Sequence, residues 1–201
     1  ISLFNQGRLT HFQPTKELIR YQLVIHKEIL YAMAENGRLY FYDQGSSTFR
    51  SIGEYPGCNK LIATADGLVL YGNQLIYLDS IKGNLKVKSR IDPEPEGKIL
   101  SLALYNESQL LLSIENKGLF LLEDMHSYDT TLKKLYSNND PHRVDELPFN
   151  LMKRIVVDEV DHSIFLCLDN GLGVLKKRFF ESVNDLHNGH TTSITGNDKN
   201  E

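Results

Sequence analysis

A pair of histidines is the first candidate for chemistry in the sequence. His187 and His190 stand three positions apart, a spacing at which two imidazoles can share a metal ion. A metal would need further ligands, and the nearest acids, Asp185 and Asp198, belong to the same polar segment. We therefore interpret the two histidines as ordinary members of a polar tail.

A second group combines acidic residues with a histidine. It consists of Asp158, Glu159, Asp161 and His162. Such side chains do general acid–base work when they converge in a pocket. They lie between two apolar runs, where solvated turn residues are expected, so we predict a turn. The same interpretation applies to the segment Asp140-Pro141-His142-Arg143.

The two cysteines, Cys58 and Cys167, are too few for a disulfide framework. Cys167 lies within an apolar strand pattern and is predicted to be a core residue. Cys58 follows Pro56-Gly57 and is predicted to lie in a more exposed turn. A single disulfide stays open at this point, but two free thiols in a reducing compartment are the preferred interpretation.

No phosphate-binding loop is present in the sequence, and Gly171-Leu172-Gly173 is only a fragment of a dinucleotide fingerprint with no helical pattern after it. The sequence thus offers no catalytic, cofactor-binding or metal-binding residue that we would assign. We predict a protein that is not an enzyme and needs no cofactor.

Charge argues against broad nucleic-acid binding, because 26 acidic residues outnumber 22 basic ones and the net charge is −4. Local basic clusters keep nucleic-acid association open as an alternative. They are Lys82, Lys86, Lys88, Arg90 and Lys176-Lys177-Arg178. Alternation along a strand would place Lys86 and Lys88 on one face.

A turn with Asn or Gly, followed by Leu and an apolar run, recurs five times along the chain. Its reference residues are Gly7, Asn36, Asn73, Gly118 and Asn170, at spacings of 29, 37, 45 and 52. Asn-Gly between apolar runs favours a β-hairpin, since both residues tolerate positive φ. About four strands per unit of about 40 residues is typical of a propeller blade. The window Glu17–Glu28 is the nearest to a helix, but Val24 and Ile25 favour a strand.

The repeated unit resembles the blade of a WD40-like β-propeller. The matching features are apolar inner strands at Ile29–Ala34 and Ser163–Leu168, the Asn-Gly type turn, and Asp43 and Asp79 where that family often carries the Asp of its Trp-Asp pair. The chain contains no tryptophan. The resemblance implies an all-β fold of antiparallel four-stranded blades, a propeller or partial propeller of about four to five units.

The sequence divides into a propeller-like domain over residues 1–183 and a polar tail over 184–201 that we expect to be disordered. So few units suggest an incomplete ring with an open blade face, which a partner protein or further sequence covers. Two lengthened loops, Asp92–Lys98 and Ser137–Pro148, are the first positions at which we expect contacts with a partner. The aromatic residues Tyr31, Tyr40, Phe41 and Tyr42 must alternate between faces, so at least half of them should pack between blades.

The function predicted from these features is a non-catalytic protein-interaction scaffold, a subunit of an intracellular multiprotein complex in the cytoplasm or nucleus. No apolar run is long enough to span a bilayer, so we expect no membrane contact. Two alternatives stay open. One is an enzyme or small-ligand receptor with a site at the propeller axis, and the other is a nucleic-acid-associated subunit.

Overall fold

Alternating apolar residues and glycine-containing turns form strands throughout the described part of the chain. The computed structural model describes residues 2–5, 8–11, 19–81, 84–92, 97–127, 131–136, 152–158, 160–168 and 171–175. The predicted tail, the loop at Ser137–Pro148, the pair His187 and His190, and Lys176–Arg178 lie outside these residues. No helix long and apolar enough to cross a membrane occurs within the described ranges.

The strands form five antiparallel sheets in chain order. A hairpin joins β1 (Ser2–Asn5) and β2 (Arg8–His11). Blade 1 contains β3 (Tyr21–His26), β4 (Ile29–Ala34), β5 (Arg38–Asp43) and β6 (Thr48–Glu54). Blade 2 contains β7 (Cys58–Ala63), β8 (Gly67–Gly72), β9 (Leu75–Ile81) and β10 (Asn84–Ile91).

Blade 3 contains β11 (Ile99–Leu104), β12 (Leu110–Ile114), β13 (Gly118–Leu122) and β14 (Leu132–Tyr136). Blade 4 has three described strands, β15 (Met152–Val157), β16 (Ile164–Leu168) and β17 (Gly171–Leu175). The four blades are arranged as a β-propeller, which confirms the predicted fold class. The window Glu17–Glu28 contributes β3, so the strand preference of Val24 and Ile25 decided its structure.

The Asn36-Gly37 turn shows how local sequence sets the register of a blade. Only Gly37 adopts positive φ, at 89°, and Asn36 instead accepts a hydrogen bond from Arg38 N–H at 3.3 Å. This differs from the predicted turn with two residues at positive φ. A Cβ on residue 37 would lie 2.7 Å from the carbonyl oxygen of Tyr55, so close packing also requires glycine there.

Three apolar clusters fill the spaces between consecutive blades. We call the face of each blade that looks toward the next blade in the chain its forward face, and the opposite one its backward face. Cross-strand partners share a face, and the forward row Val24–Tyr31–Phe41 of blade 1 packs in one cluster with the backward row Ala63–Leu68–Leu78 of blade 2. Equivalent clusters join blades 2 and 3 and blades 3 and 4. The core is therefore a row of repeated face-to-face contacts.

Candidate functional site

The first strand of blades 2, 3 and 4 lies innermost and carries a β-bulge near its start. The register shifts between Cys58 and Lys60, between Ile99 and Ser101, and between Met152 and Arg154. A bulge leaves one extra residue unpaired and changes the direction in which neighbouring side chains point. It makes Lys60, Ser101 and Arg154 equivalent positions, each after the bulged residue and before a buried aliphatic residue.

Polar side chains at this position connect consecutive inner strands. Gln22 Oε1 on β3 accepts a hydrogen bond from Leu61 N–H on β7 at 3.1 Å. Lys60 Nζ on β7 donates to the Leu100 carbonyl oxygen on β11. Ser101 Oγ on β11 accepts from Ile155 N–H on β15 at 3.0 Å. We call Gln22, Lys60 and Ser101 the axial relay; it satisfies inner-strand backbone groups that no neighbouring strand reaches.

The inner strands also line a partly open axial cavity of about 770 Å³. Its polar lining includes Gln22, Lys60, Tyr71, Ser101, Lys153 and Arg154. Aliphatic residues of the same strands complete the wall. Of the described residues that line it, none is an aspartate or glutamate. The cavity is within the size range of small-ligand sites and has a cationic wall.

Burial changes the pKa values of two side chains in the cavity wall, Lys60 and Tyr71. Desolvation lowers the pKa of Lys60, and repulsion from Lys98 lowers it further. Desolvation raises the pKa of Tyr71, which outweighs the lowering effects of Arg154 and of a hydrogen bond with Gln22. Tyr71 therefore stays a neutral phenol at physiological pH, with its ring 5.7 Å from Lys60 Nζ.

A second candidate site is the forward face of blade 4. Its rows are Arg154–Cys167–Leu172 and Val156–Phe165–Val174. Leu172 is 64% exposed and Val174 is 43% exposed, whereas the equivalent residues of blade 2, Leu75 and Tyr77, are fully buried. No described residue covers this face in the way that the following blades cover the forward faces of blades 1, 2 and 3.

Exposed apolar side chains concentrate at the two ends of the blade row. Of seven large exposed hydrophobic residues in the described ranges, five lie on the forward face of blade 4 or on the innermost strand of the backward face of blade 1. They are Leu23, Ile25, Val156, Leu172 and Val174. On blade 1 the deeper backward-face residues, Ala32 and Tyr40, are buried, so its open part is confined to β3.

The acidic group near residue 160 forms a turn. Asp158 Oδ1 accepts hydrogen bonds from Val160 N–H at 2.8 Å and Asp161 N–H at 3.2 Å. Asp161 Oδ1 accepts from Ser163 N–H at 2.8 Å. His162 has φ of 56° and reaches the cavity wall, while Glu159 lies outside the described residues. The predicted turn is therefore present, and the carboxylates of Asp158 and Asp161 accept hydrogen bonds within it.

Both cysteines differ from their predicted environments, Cys58 being buried and Cys167 only partly buried. Cys58 is only 1% exposed, and burial raises the pKa of its thiol to about 12. Cys167 is half-buried on the forward face of blade 4, where no described blade covers it. Both are free. The prediction of an exposed Cys58 was wrong, because the first residue of β7 packs between blades 1 and 2.

The remaining sequence candidates also have defined surroundings. No cluster of three potential metal ligands occurs in the described part of the chain. Tyr31 and Phe41 pack between blades 1 and 2, whereas Tyr40 lies on the opposite face in contact with Tyr21. Lys88 is a bulged residue whose Nζ lies 5.7 Å from the ring centroid of Tyr77. The bulge interrupts the alternation on which the proposed basic strand face depended.

Sequence reasoning missed the axial relay and the cavity. A signal was present, because two consecutive non-core residues separate buried ones in Cys58-Asn59-Lys60-Leu61 and again in Met152-Lys153-Arg154-Ile155. Such a break in strict alternation indicates a bulge. The distances across the axis depend on how the blades pack, so no local sequence pattern predicts them.

Comparison with known proteins identifies the fold and assigns no function. No protein-family model matches the chain, and no curated protein matches it. Among solved structures, it is similar to the extracellular domain of a one-component system from B. thetaiotaomicron, with a TM-score of 0.63 and 22% identity over 84% of this chain and 23% of that one. The chain thus spans about a quarter of that domain.

Two further structures are WD40-type or related propellers. The β-propeller domain of Cps50 (Swd1) from Myceliophteria thermophila gives a TM-score of 0.63 with 11% identity over 88% of this chain and 62% of that chain. The C-terminal WD40 domain of Sif2 gives 0.55 with 10% identity over 78% and 44%. At these identities the likeness shows the fold, a β-propeller similar to WD40 domains.

Proposed function

We propose that the protein is a non-catalytic interaction scaffold that docks the β-sheet of another protein on the forward face of blade 4. The observation that carries this proposal is the uncovered apolar face formed by Val156, Leu172 and Val174. Contiguous exposed apolar surface of this kind marks interaction sites. Membership of an intracellular multiprotein complex is part of the proposal, although solved structures of this fold include an extracellular domain.

The nature of the partner follows from the contacts inside the molecule. Each of the three internal forward faces packs against another antiparallel sheet, with aliphatic rows on both sides. The forward face of blade 4 continues the same pattern of rows. A sheet with blade-like twist and an alternating apolar face is therefore the surface that fits it, because strand twist sets the shape of the groove between two sheets.

A site-specific photocrosslinker tests this assignment. Placed at Leu172, it should capture a partner in cells that contain the protein, while the same group at Val87, an exposed apolar position on β10, should not. In the purified complex, Cys167 should become resistant to alkylation, since it shares the row of Leu172. The captured segment of the partner, identified by mass spectrometry, should belong to a β-sheet.

Three outcomes would contradict the proposal. Equal capture at both positions would show non-specific contact. Capture with Cys167 still fully reactive would place the partner elsewhere, such as on the rim loops. A cross-link between two copies of this chain would make the face a self-association site.

A further inference from the structure

Two polar side chains connect the inner strand of blade 1 to blade 2. Near the start of β3, Gln22 Oε1 accepts a hydrogen bond from Leu61 N–H. At the other end of β3 stands His26, whose side chain is buried with only 5% of its surface exposed. His26 lies two positions after Val24, which packs against blade 2, so the two share the forward face of blade 1. The imidazole is therefore buried where the two blades meet.

The His26 ring bonds to the backbone of blade 2. Its partner is Thr64, in the turn between β7 and β8. The Thr64 N–H already donates to the Gly67 carbonyl oxygen at 2.9 Å, so the Thr64 carbonyl oxygen is the acceptor of this bond. Nε2 is buried without a hydrogen-bond partner among the described residues, which makes Nδ1 the donor. The neutral ring with its proton on Nδ1 therefore fits this site.

A second proton on the ring would be poorly accommodated. It would place a charged N–H donor at Nε2, which no described acceptor reaches. Burial lowers the pKa of His26 from its usual 6.5, and repulsion from Lys27 on the same turn lowers it further, against smaller raising effects of the Thr64 bond and of Asp66. Among the described residues, Lys27 and Asp66 are the charged groups that face the ring, and its strand partner Ile29 is apolar. The charged ring is thus less stable here than in water.

The turn that follows His26 is strained. Lys27 and Glu28 have φ of 47° and 65°, in the left-handed region that a hairpin of this kind usually fills with Asn and Gly. Side chains other than glycine are unfavourable there and persist where surrounding contacts hold the backbone. The bond between His26 and Thr64 is such a contact, because it fixes the residue at which the turn begins.

We propose that the bond between His26 and Thr64 is a pH-sensitive contact that holds blade 1 closed on blade 2 at neutral pH and opens on acidification. When the ring takes up its second proton, it leaves the blade contact for water, and the strained turn relaxes with it. The contact between Gln22 and Leu61 does not titrate, so the opening is confined to the turn end of β3. This device is independent of the docking face on blade 4.

The sign of the effect follows from the direction in which the pKa is shifted. The folded ring is protonated at lower pH than a free histidine, for which the pKa is 6.5. The stability that His26 contributes is therefore complete above that pH and is lost as the pH falls below it, through the pKa of the folded state.

Hydrogen exchange of the purified protein at pH 7.5 and pH 5.0, corrected for the intrinsic rate at each pH, measures the opening. Relative to the amides of β12, those of residues 26–30 should lose protection about three- to thirtyfold at pH 5.0, the range expected for a pKa shift of ordinary size. His26→Asn keeps an N–H donor for the Thr64 carbonyl and does not titrate. Its protection should change less than twofold between the two pH values.

His162→Asn is the matched control. His162 is an exposed histidine in a turn of blade 4, and its φ of 56° suits asparagine. This variant should lose protection at residues 26–30 as the parent does. Thermal unfolding at pH 7.5 checks that both variants are folded.

Ring NMR of the parent protein keeps the test independent of the variants. The His26 ring should carry its proton on Nδ1 at pH 7.5 and should titrate with a midpoint below 6.5. Equal protection at both pH values would overturn the proposal. So would an equal loss in folded His26→Asn, a loss abolished by His162→Asn, or a His26 ring that titrates at or above 6.5.

Discussion

The forward faces of blades 2 and 4 have the same construction and opposite environments. In blade 2 the row Lys60–Tyr71–Leu75 is covered by blade 3, whereas in blade 4 the row Arg154–Cys167–Leu172 has no described cover. Leu75 is fully buried and Leu172 is 64% exposed. The same strand pattern therefore forms core where a described blade covers it and surface where none does.

Thiol chemistry should give the largest contrast between covered and uncovered positions. A pH of 8 is far below the pKa of the Cys58 thiol, about 12, so Cys58 forms almost no reactive thiolate. Cys167 lies on the open face of blade 4. We expect Cys167 to react with a disulfide reagent on the order of 10³-fold faster. Stopped-flow labelling of the single variants Cys58→Ala and Cys167→Ala measures both rates. Comparable rates in the folded protein would refute the assigned packing.

Truncation of the equivalent leucines compares the two faces energetically. Leu75→Ala leaves a cavity between blades 2 and 3 and should destabilise the protein by about 2–5 kcal/mol. Leu172→Ala removes an exposed side chain and should cost about 0.5 kcal/mol or less. Urea unfolding of both variants supplies the comparison. A similar cost for the two would mean that the chain itself covers the forward face of blade 4.

Two strand glycines test the same contrast through added bulk. An added Cβ at Gly67 would collide with the Leu78 carbonyl oxygen, so Gly67→Ala should cost about 1–3 kcal/mol. Gly171 has nothing within 4 Å of that position, and Gly171→Ala should lie within about 0.5 kcal/mol of the parent. Thermal unfolding measures both; a large loss for Gly171→Ala would indicate a neighbour at blade 4.

A hydrogen bond between blades should have the smallest effect. Ser113 Oγ donates to the Met152 carbonyl oxygen at 2.7 Å in a buried contact between blades 3 and 4. Ser113→Ala should therefore cost about 1 kcal/mol. Ser46→Ala, which removes an exposed bond to Asp43, serves as the control and should change stability by less. An equal effect of the two would argue against a tight contact between blades 3 and 4.

The sequence predicted the strands well because their signals are local. The predicted strand Ile29–Ala34 coincides with β4, the predicted strand Ser163–Leu168 differs from β16 by one residue, and the Asn36-Gly37 hairpin was evident from two residues. What could not be predicted depends on blade-to-blade packing. Cys58 stands beside a Pro-Gly turn and looks exposed in sequence, but its burial comes from residues of blade 1. The axial cavity likewise depends on how four inner strands approach one another.

The axial relay bonds blade 4 to one neighbouring blade and each middle blade to two. Each bond ties an inner strand to the one that follows, so a middle blade is held on both sides and blade 4 on one side within the described structure. In such a linear arrangement, opening fluctuations start at an end and pass inward. Amide hydrogens of β8 and β12 should accordingly exchange with solvent far more slowly than those of β16.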